Sequence, residues 1–235
     1  GVAFVAQTVG MDHVGPLTFV FFRYVLSAIV LAPVSVMAGR KLRLKRLSEP
    51  SIAGHSPTPI KEYIKGGIVC GFFLGFASIC QQTGLQYTTT GKAGFITALY
   101  VVLVPVFGLL LGTKPPGKIW LCVILGLVGL YLISVKAGFS IELGDALVIL
   151  CAIVFACQIL SVDHFSRKVG NAVLLSNLQF AAAAVIGGIG MLVFEQPSWS
   201  GILAAALPIA YAGILSGAAG YTLQILAQKN TDPSV

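Results

Sequence analysis

Two stretches of this chain carry the same helical pattern. Residues 71–93 read GFFLGFASICQQTGLQYTTTGKA, and residues 213–235 read GILSGAAGYTLQILAQKNTDPSV. Small and polar side chains recur at helical spacing along one face of each stretch. This face reads Gly, Gly, Ser, Gln, Gln in the first stretch and Gly, Gly, Gly, Gln, Gln in the second. The pattern therefore indicates an internal repeat with an offset of 142 residues.

A second pair of matching segments extends the repeat. Phe4 and Gln7 correspond to Phe155 and Gln158, and the Asp-His pair that follows each segment is also shared. The two matches are collinear, and the long basic loop near Arg40 absorbs the difference in spacing. Each repeat then contains five predicted helices. Because an odd number of helices inverts the second copy, we predict the inverted-repeat topology of secondary carriers, with a substrate site near the midplane.

The composition is that of a protein embedded in a lipid bilayer. Of the 235 residues, 57% are hydrophobic and 10% are charged, whereas about 25% are charged in an average soluble domain. Such a chain cannot hide its apolar side chains in one core and cover its surface with so few charges. This excludes a soluble enzyme and a disordered chain. A nucleic-acid binder is also excluded, because the basic residues behind the net charge of +7 cluster in one loop and at the ends of apolar runs.

Apolar runs of about 20 residues, the length that crosses a bilayer core, follow one another along the chain. The predicted helices are a partial one at 1–10 and seven full ones at 17–38, 64–87, 93–111, 119–135, 146–162, 172–194 and 202–226. Twelve of the fifteen Lys and Arg residues fall on one side, which the positive-inside rule makes cytoplasmic. We predict a multi-pass integral protein of the plasma (inner) membrane. The half-length first run and the short stretch after Gln228 predict a fragment truncated at both ends.

Polar side chains inside the predicted helices are candidates for a substrate site. An amide in hydrocarbon costs free energy unless it is hydrogen-bonded. Gln82 and Gln224 are equivalent in the two repeats, as are Gln7 and Gln158. These amides could line a polar cavity and bind a zwitterion, or they could only hold helices together, and both interpretations stay open. The predicted substrate-binding residues are Gln7, Arg23, Gln82, Thr97, Tyr100, Gln158, Gln179 and Gln224.

Two further features of the predicted helices bear on mechanism. Arg23 lies several residues into the second predicted helix. It could bind a carboxylate in a cavity, or it could snorkel to the outer interface. Gly67, Gly71 and Gly75 form a ridge of small residues on the third helix, which predicts close helix packing.

Several motifs resemble one family of membrane transporters. Gly1-Val2-Ala3-Phe4 resembles the first-helix motif of the drug/metabolite transporter superfamily, EamA-type, and Phe22-Arg23-Tyr24 resembles the start of its second helix. Residues 85–89 resemble its junction of helices 3 and 4. The resemblance implies ten helices in two five-helix repeats, of which about eight are present here, and transport of small metabolites, often amino acids or drug-like compounds. We accordingly predict a first repeat over 1–137 and a second over 138–235.

The predicted function is secondary transmembrane transport, in which two repeats alternate access to a central cavity. The predicted partners are a small-molecule substrate and the lipid bilayer, without nucleic acid, and a homodimer is left open. A passive channel or a structural membrane subunit would tolerate the same composition. An integral-membrane enzyme fits less well, because the acids and the three His residues do not converge in a catalytic or metal-ligand pattern. We therefore predict no enzyme activity, catalytic residue, cofactor or metal, and the chain has no Walker motif for ATP hydrolysis.

Overall fold

The protein is helical throughout the part of the chain that the structure describes, apart from turns and short connections. This structure is a computed structural model, and it describes residues 2–48, 58–112, 117–136 and 142–228. Six helical segments within these ranges are long and apolar enough to cross a membrane. The predicted repeat junction at 137/138 and the short stretch after Gln228 lie outside the described residues.

Most predicted helices occur where the apolar runs place them, with ends shifted by a few residues. The helices are α1 (Val2–Met11), α2 (Pro16–Ser48), α3 (Ile60–Gly84), α4 (Thr90–Thr97), α5 (Tyr100–Leu110), α6 (Gly117–Lys136), α7 (Leu143–Lys168), α8 (Ala172–Phe194), α9 (Trp199–Ala204), α10 (Ala206–Ala210), a π-helical segment (Tyr211–Tyr221) and α11 (Thr222–Gln228). Helix α2 continues ten residues beyond the predicted run. Its extension contains Arg40, Lys41 and Arg43, which are good helix formers that hydropathy does not detect.

Two predicted helices are interrupted in the structure. The run predicted at 93–111 is divided into α4 and α5 by a turn at Ala98 and Leu99. The run predicted at 202–226 is divided into α9, α10, the π-helical segment and α11. Pro208 lies three residues before the π-helical segment, and it has no N–H to donate to the helical ladder.

The distribution of polarity is the reverse of that in a soluble protein. Phe72 on α3 and Leu192 on α8 expose 53% and 78% of their surface, whereas Gln82 and Gln179 expose none. Exposed apolar side chains are stable against lipid tails, and buried polar groups in membrane helices face the bundle interior. The outer surface therefore suits a bilayer.

Glycines allow the central helices to approach closely. Helix α3 packs against α7 and α8, and α2 packs against α8 and the π-helical segment. A Cβ atom at Gly71 would lie 2.6 Å from the backbone oxygen of Gln179 on α8. A Cβ atom at Gly213 would lie 2.9 Å from the backbone oxygen of Arg23 on α2. Since real Cβ atoms do not approach so closely, these helix contacts require glycine.

The end of α8 caps the beginning of α2. Glu195 Oε1 accepts a hydrogen bond from the backbone N–H of Leu17 at 2.8 Å, and Oε2 accepts from the backbone N–H of Thr18 at 2.8 Å. The hydroxyl of Thr18 also donates to Oε2 at 2.6 Å. A carboxylate at this position satisfies free N–H groups of the first turn and interacts favourably with the helix dipole.

We expect Glu195→Ala to lower the free energy of unfolding by about 0.5–2 kcal/mol, the usual range for loss of a helix cap. The melting temperature in detergent measures this loss. Glu195→Gln keeps a carbonyl oxygen as acceptor but loses the charge, so it should lie between the alanine variant and the wild type. Equal melting temperatures for all three proteins would contradict a stabilising cap.

Candidate functional site: a polar cavity between the helices

A cavity of about 170 Å³ lies between the helices. Phe155 and Gln158, on its wall, are close to the middle of α7, so the cavity is near the centre of that predicted membrane span. The lining residues come from both predicted repeats: Ala3, Phe4, Gln7, Arg23, Gln81, Thr97, Tyr100, Phe155, Gln158, Ile159, Ala212, Ser216, Gly217, Tyr221 and Gln224. The cavity wall therefore combines amides, hydroxyls and one guanidinium with aromatic and aliphatic side chains.

Both interrupted helices border the cavity. Thr97 and Tyr100 flank the turn between α4 and α5, and both line the cavity. Ser216 and Tyr221 belong to the π-helical segment and line it as well. Irregular backbone at membrane depth is tolerated where it lines a cavity, and π-helical turns frequently mark functional sites. The irregular backbone thus coincides with the polar cavity.

Arg23 is the charged residue of the cavity wall. Its side chain is almost completely buried, with 4% of its surface exposed. Nη2 donates to the Tyr24 hydroxyl at 2.6 Å and to Ser78 Oγ at 3.0 Å, and the guanidinium carbon lies 4.5 Å from the centre of the Tyr24 ring. Arg23 therefore lies inside the helix bundle and does not extend to the outer interface.

Four glutamines at the site form two hydrogen-bonded pairs. Gln82 Nε2 donates to the backbone oxygen of Gln7 at 3.3 Å, and Gln158 Nε2 donates to Gln179 Oε1 at 3.3 Å. The side-chain oxygens of Gln7, Gln82 and Gln158 are buried and have no partner among the described residues. An unsatisfied buried polar group costs about 1–3 kcal/mol. These amide oxygens therefore favour binding of water or of a ligand that can donate hydrogen bonds to them.

The structure brings six of the eight residues predicted from the sequence to the cavity wall. They are Gln7, Arg23, Thr97, Tyr100, Gln158 and Gln224. Gln82 and Gln179 are not on the wall, and each lies behind it in contact with a lining glutamine. Gln82 continues the face of α3 that carries the packing glycines, so its side chain points at a neighbouring helix.

Sequence reasoning missed several residues of the wall. Gln81 lines the cavity and donates to Thr97 Oγ1 at 3.2 Å. It was missed because it lies about 100° around the helix from Gln82, outside the repeated stripe. Phe4 and Phe155 also line the cavity. Their match in the repeat is a sequence signal that could have identified both.

An ion pair between the partly exposed Lys92 and the buried Asp145 joins the beginnings of α4 and α7. Lys92 forms a salt bridge with Asp145, which is buried. Asp145 Oδ1 accepts from the Thr88 hydroxyl at 2.7 Å, and Oδ2 accepts from the backbone N–H of Glu142 at 3.0 Å. A Cβ atom at Gly144 would lie 2.6 Å from the carbonyl carbon of Tyr87. The turn before α4 and the start of α7 are therefore in direct contact.

Comparisons with known proteins agree with a transporter fold. Residues 1–135 match the EamA-like transporter family. A protein of Archaeoglobus fulgidus named as an uncharacterized transporter is 38% identical over 121 residues, which cover 49% of this chain and 38% of that protein. This chain therefore spans well under half the length of that relative. A crystal structure superimposes with a TM-score of 0.61 and 19% identity, covering 99% of this chain and 79% of that chain, and it shares the fold.

Proposed function

This chain belongs to the EamA-like transporter family, and on this premise we propose that it is a secondary carrier of small metabolites that works by alternating access. Its family and the six apolar helical segments within the described residues make it a multi-pass integral membrane protein. The observation that carries the proposal is the polar cavity bordered by two interrupted helices. Broken helices around a midplane site are a recurrent feature of secondary transporters.

The helix contacts support an inverted repeat. Under the proposed repeat, α2 corresponds to α8, and α3 corresponds to the segment from α10 to α11. Helix α3 packs on α8, and the corresponding segment packs on α2. Helix α2 also packs directly on α8, as two equivalent helices beside a pseudo-twofold axis would do.

The glycine contacts follow the same correspondence residue by residue. Gly71 approaches Gln179 and Ala182, whereas its repeat partner Gly213 approaches Arg23 and Leu26. Arg23 precedes Gln179 by 156 residues, and Leu26 precedes Ala182 by the same number. The two residues that Gly213 approaches are therefore related to the two that Gly71 approaches by a single offset. This regularity supports two similar halves packed face to face. Close contacts between glycine faces leave few side chains to obstruct sliding, which favours a rocking motion of one half against the other.

The cavity is suited to a small amphipathic solute. Its volume of about 170 Å³ has room for a small metabolite. Gln7, Gln158 and Gln224 offer amide donors and acceptors, while Phe4 and Phe155 offer an apolar surface. We propose that such a solute is carried across the plasma (inner) membrane, and that the bilayer is the other partner of the chain.

Transport by the full-length protein in proteoliposomes tests this proposal. The probes are radiolabelled amino acids, nucleosides, sugars and cationic drugs, screened first by their effect on the melting temperature, because ligands stabilise the folded state that binds them. A carrier gives saturable uptake that unlabelled substrate inhibits. Uptake that rises linearly with concentration and shows no competition would indicate a channel instead.

We expect Gln224→Ala to reduce transport about tenfold, as loss of one or two hydrogen bonds to a substrate would do. Gln224 lines the cavity and has no hydrogen-bond partner among the described residues, so its removal should leave the melting temperature unchanged. Gln82→Ala should lower the melting temperature, because Gln82 binds the backbone of α1. Gln86→Ala is the matched control, since Gln86 is exposed in the turn after α3. Unchanged transport by the Gln224 variant would show that this residue does not contribute to substrate binding.

A further inference from the structure

We infer that the transported solute carries a carboxylate group and that this group binds beside Arg23. The inference rests on the proposed carrier function, because it names the class of substrate for the same cavity. Its basis is a buried cation on the cavity wall whose charge no described residue neutralises. The contacts of Arg23 and the rest of the wall lead to this conclusion.

The charge of Arg23 is unbalanced within the described part of the chain. The two salt bridges found there are Lys92–Asp145 and Arg167–Asp163, so neither involves Arg23. The partners of its guanidinium, Tyr24 and Ser78, are neutral hydroxyls. Charged side chains in membrane helices are costly, and they usually pair with an opposite charge or face a substrate pathway. The location of Arg23 on the cavity wall favours the pathway.

The guanidinium is held in place but is not saturated. It has five N–H donors in a planar fork. Nη2 donates to Tyr24 and Ser78, whereas Nε is buried and has no partner among the described residues. The Tyr24 ring beneath the guanidinium adds a cation–π contact. Tyr24 and Ser78 are therefore positioning residues, which fix the orientation of a group that matches the geometry of a carboxylate.

The positive charge stands on one side of an otherwise neutral cavity. The position that corresponds to Arg23 in the second half is Gln179, which carries no charge and lies behind the wall. A carboxylate would therefore be held on the α2 side, and the remainder of the solute would face Gln158 and Phe155 on α7. Small organic cations would be repelled by Arg23 and excluded. An uncharged amide of the same shape would lose the charge-assisted hydrogen bonds.

Matched acid and amide probes test the inference. The full-length protein, purified in detergent, is titrated with 4-methylpentanoate, 4-methylpentanamide, L-leucine, L-leucinamide and isoamylamine, and binding is measured by calorimetry. We expect at least one acid to bind, and its amide to bind at least roughly 30-fold more weakly, as expected when a buried charge pair is lost. The amine should not bind. This comparison in the wild-type protein does not depend on how any variant folds.

Variants of Arg23 provide the second arm. Arg23→Gln should abolish the preference for the acid over its amide, and Arg23→Lys should retain part of it because the charge remains. Melting temperatures without ligand show whether each variant is folded. A wild-type protein that binds acid and amide equally would overturn the inference, as would a folded Arg23→Gln variant that still prefers the acid.

The same reconstitution separates the inference from the proposed function. Saturable uptake of sugars, nucleosides or cations alone, without binding of any acid, would leave the carrier function standing and overturn the carboxylate inference. Failure of the protein to transport any probe, acid or otherwise, would overturn the carrier function and the inference with it. Saturable uptake of an acid that unlabelled acid inhibits and its amide does not inhibit would support both.

Discussion

Lys92→Met should lower the free energy of unfolding by about 3 kcal/mol, because it leaves the carboxylate of Asp145 buried without its cation. The remaining donors, the Thr88 hydroxyl and the backbone N–H of Glu142, do not supply the missing charge. For a chain of this size such a loss corresponds to a fall in melting temperature of roughly 6–12 °C. Thermal denaturation of the purified protein in detergent measures it.

The double variant Lys92→Met/Asp145→Asn separates the unpaired charge from other effects of the substitution. The introduced asparagine side chain would keep an acceptor for Thr88 and carry no charge, so the double variant should recover about half of the lost stability. A double variant that is less stable than Lys92→Met would contradict this explanation. So would a Lys92→Met protein that melts like the wild type, since the pair would then contribute nothing to the folded state.

Gly71→Leu should destabilise the protein by about 3 kcal/mol, the upper end of the usual cost of overpacking, because side-chain rotation cannot remove a clash with backbone. A Cβ atom there would lie 2.6 Å from the backbone oxygen of Gln179 and 2.5 Å from the Cβ of Ala182. Helices α3 and α8 would have to separate, and one of the main contacts between the proposed halves would be lost. Loss of the monodisperse peak in size-exclusion chromatography, together with a lower melting temperature, measures this effect.

Gly91→Leu is the matched control for Gly71→Leu. A Cβ atom at Gly91, in the first turn of α4, would meet no atom within 4 Å. Leucine is also a better helix former than glycine by about 0.8 kcal/mol, so the control should be as stable as the wild type or slightly more stable. Equal melting temperatures for the two variants would contradict this explanation, because the close approach of α3 to α8 would then not require glycine at position 71.

Much of the candidate site could be predicted because its polar residues lie in helices that are otherwise apolar. Gln7, Gln158 and Gln224 stand out for this reason, and the repeat paired two of them with each other. The same reasoning predicts Gln82 at the site and does not predict Gln81. The periodicity of α3 shows which residues share a face, but it does not show which neighbouring helix that face contacts. The face with the packing glycines meets α8, and the cavity lies to one side of it.

Long-range contacts of charged residues could not be predicted from the sequence. Glu195 caps α2 across 178 residues, and Lys92 pairs with Asp145 across 53 residues. Arg23 could extend to the outer interface or face a cavity, and only its burial against Tyr24 and Ser78 places it inside the bundle. Each of these contacts depends on which helices become neighbours, and no local pattern carries that information.

The sequence by itself determined the positions of the apolar helices, the membrane environment and the polar residues within the bundle. These properties follow from hydropathy and from the 3.6-residue period of the helix, which are local features of the chain. Only the tertiary structure decided where α4 ends, where the π-helical segment lies and which polar residues surround one cavity. Such features arise because glycine faces from distant parts of the chain pack together and leave Arg23 and the lining amides facing the space between them.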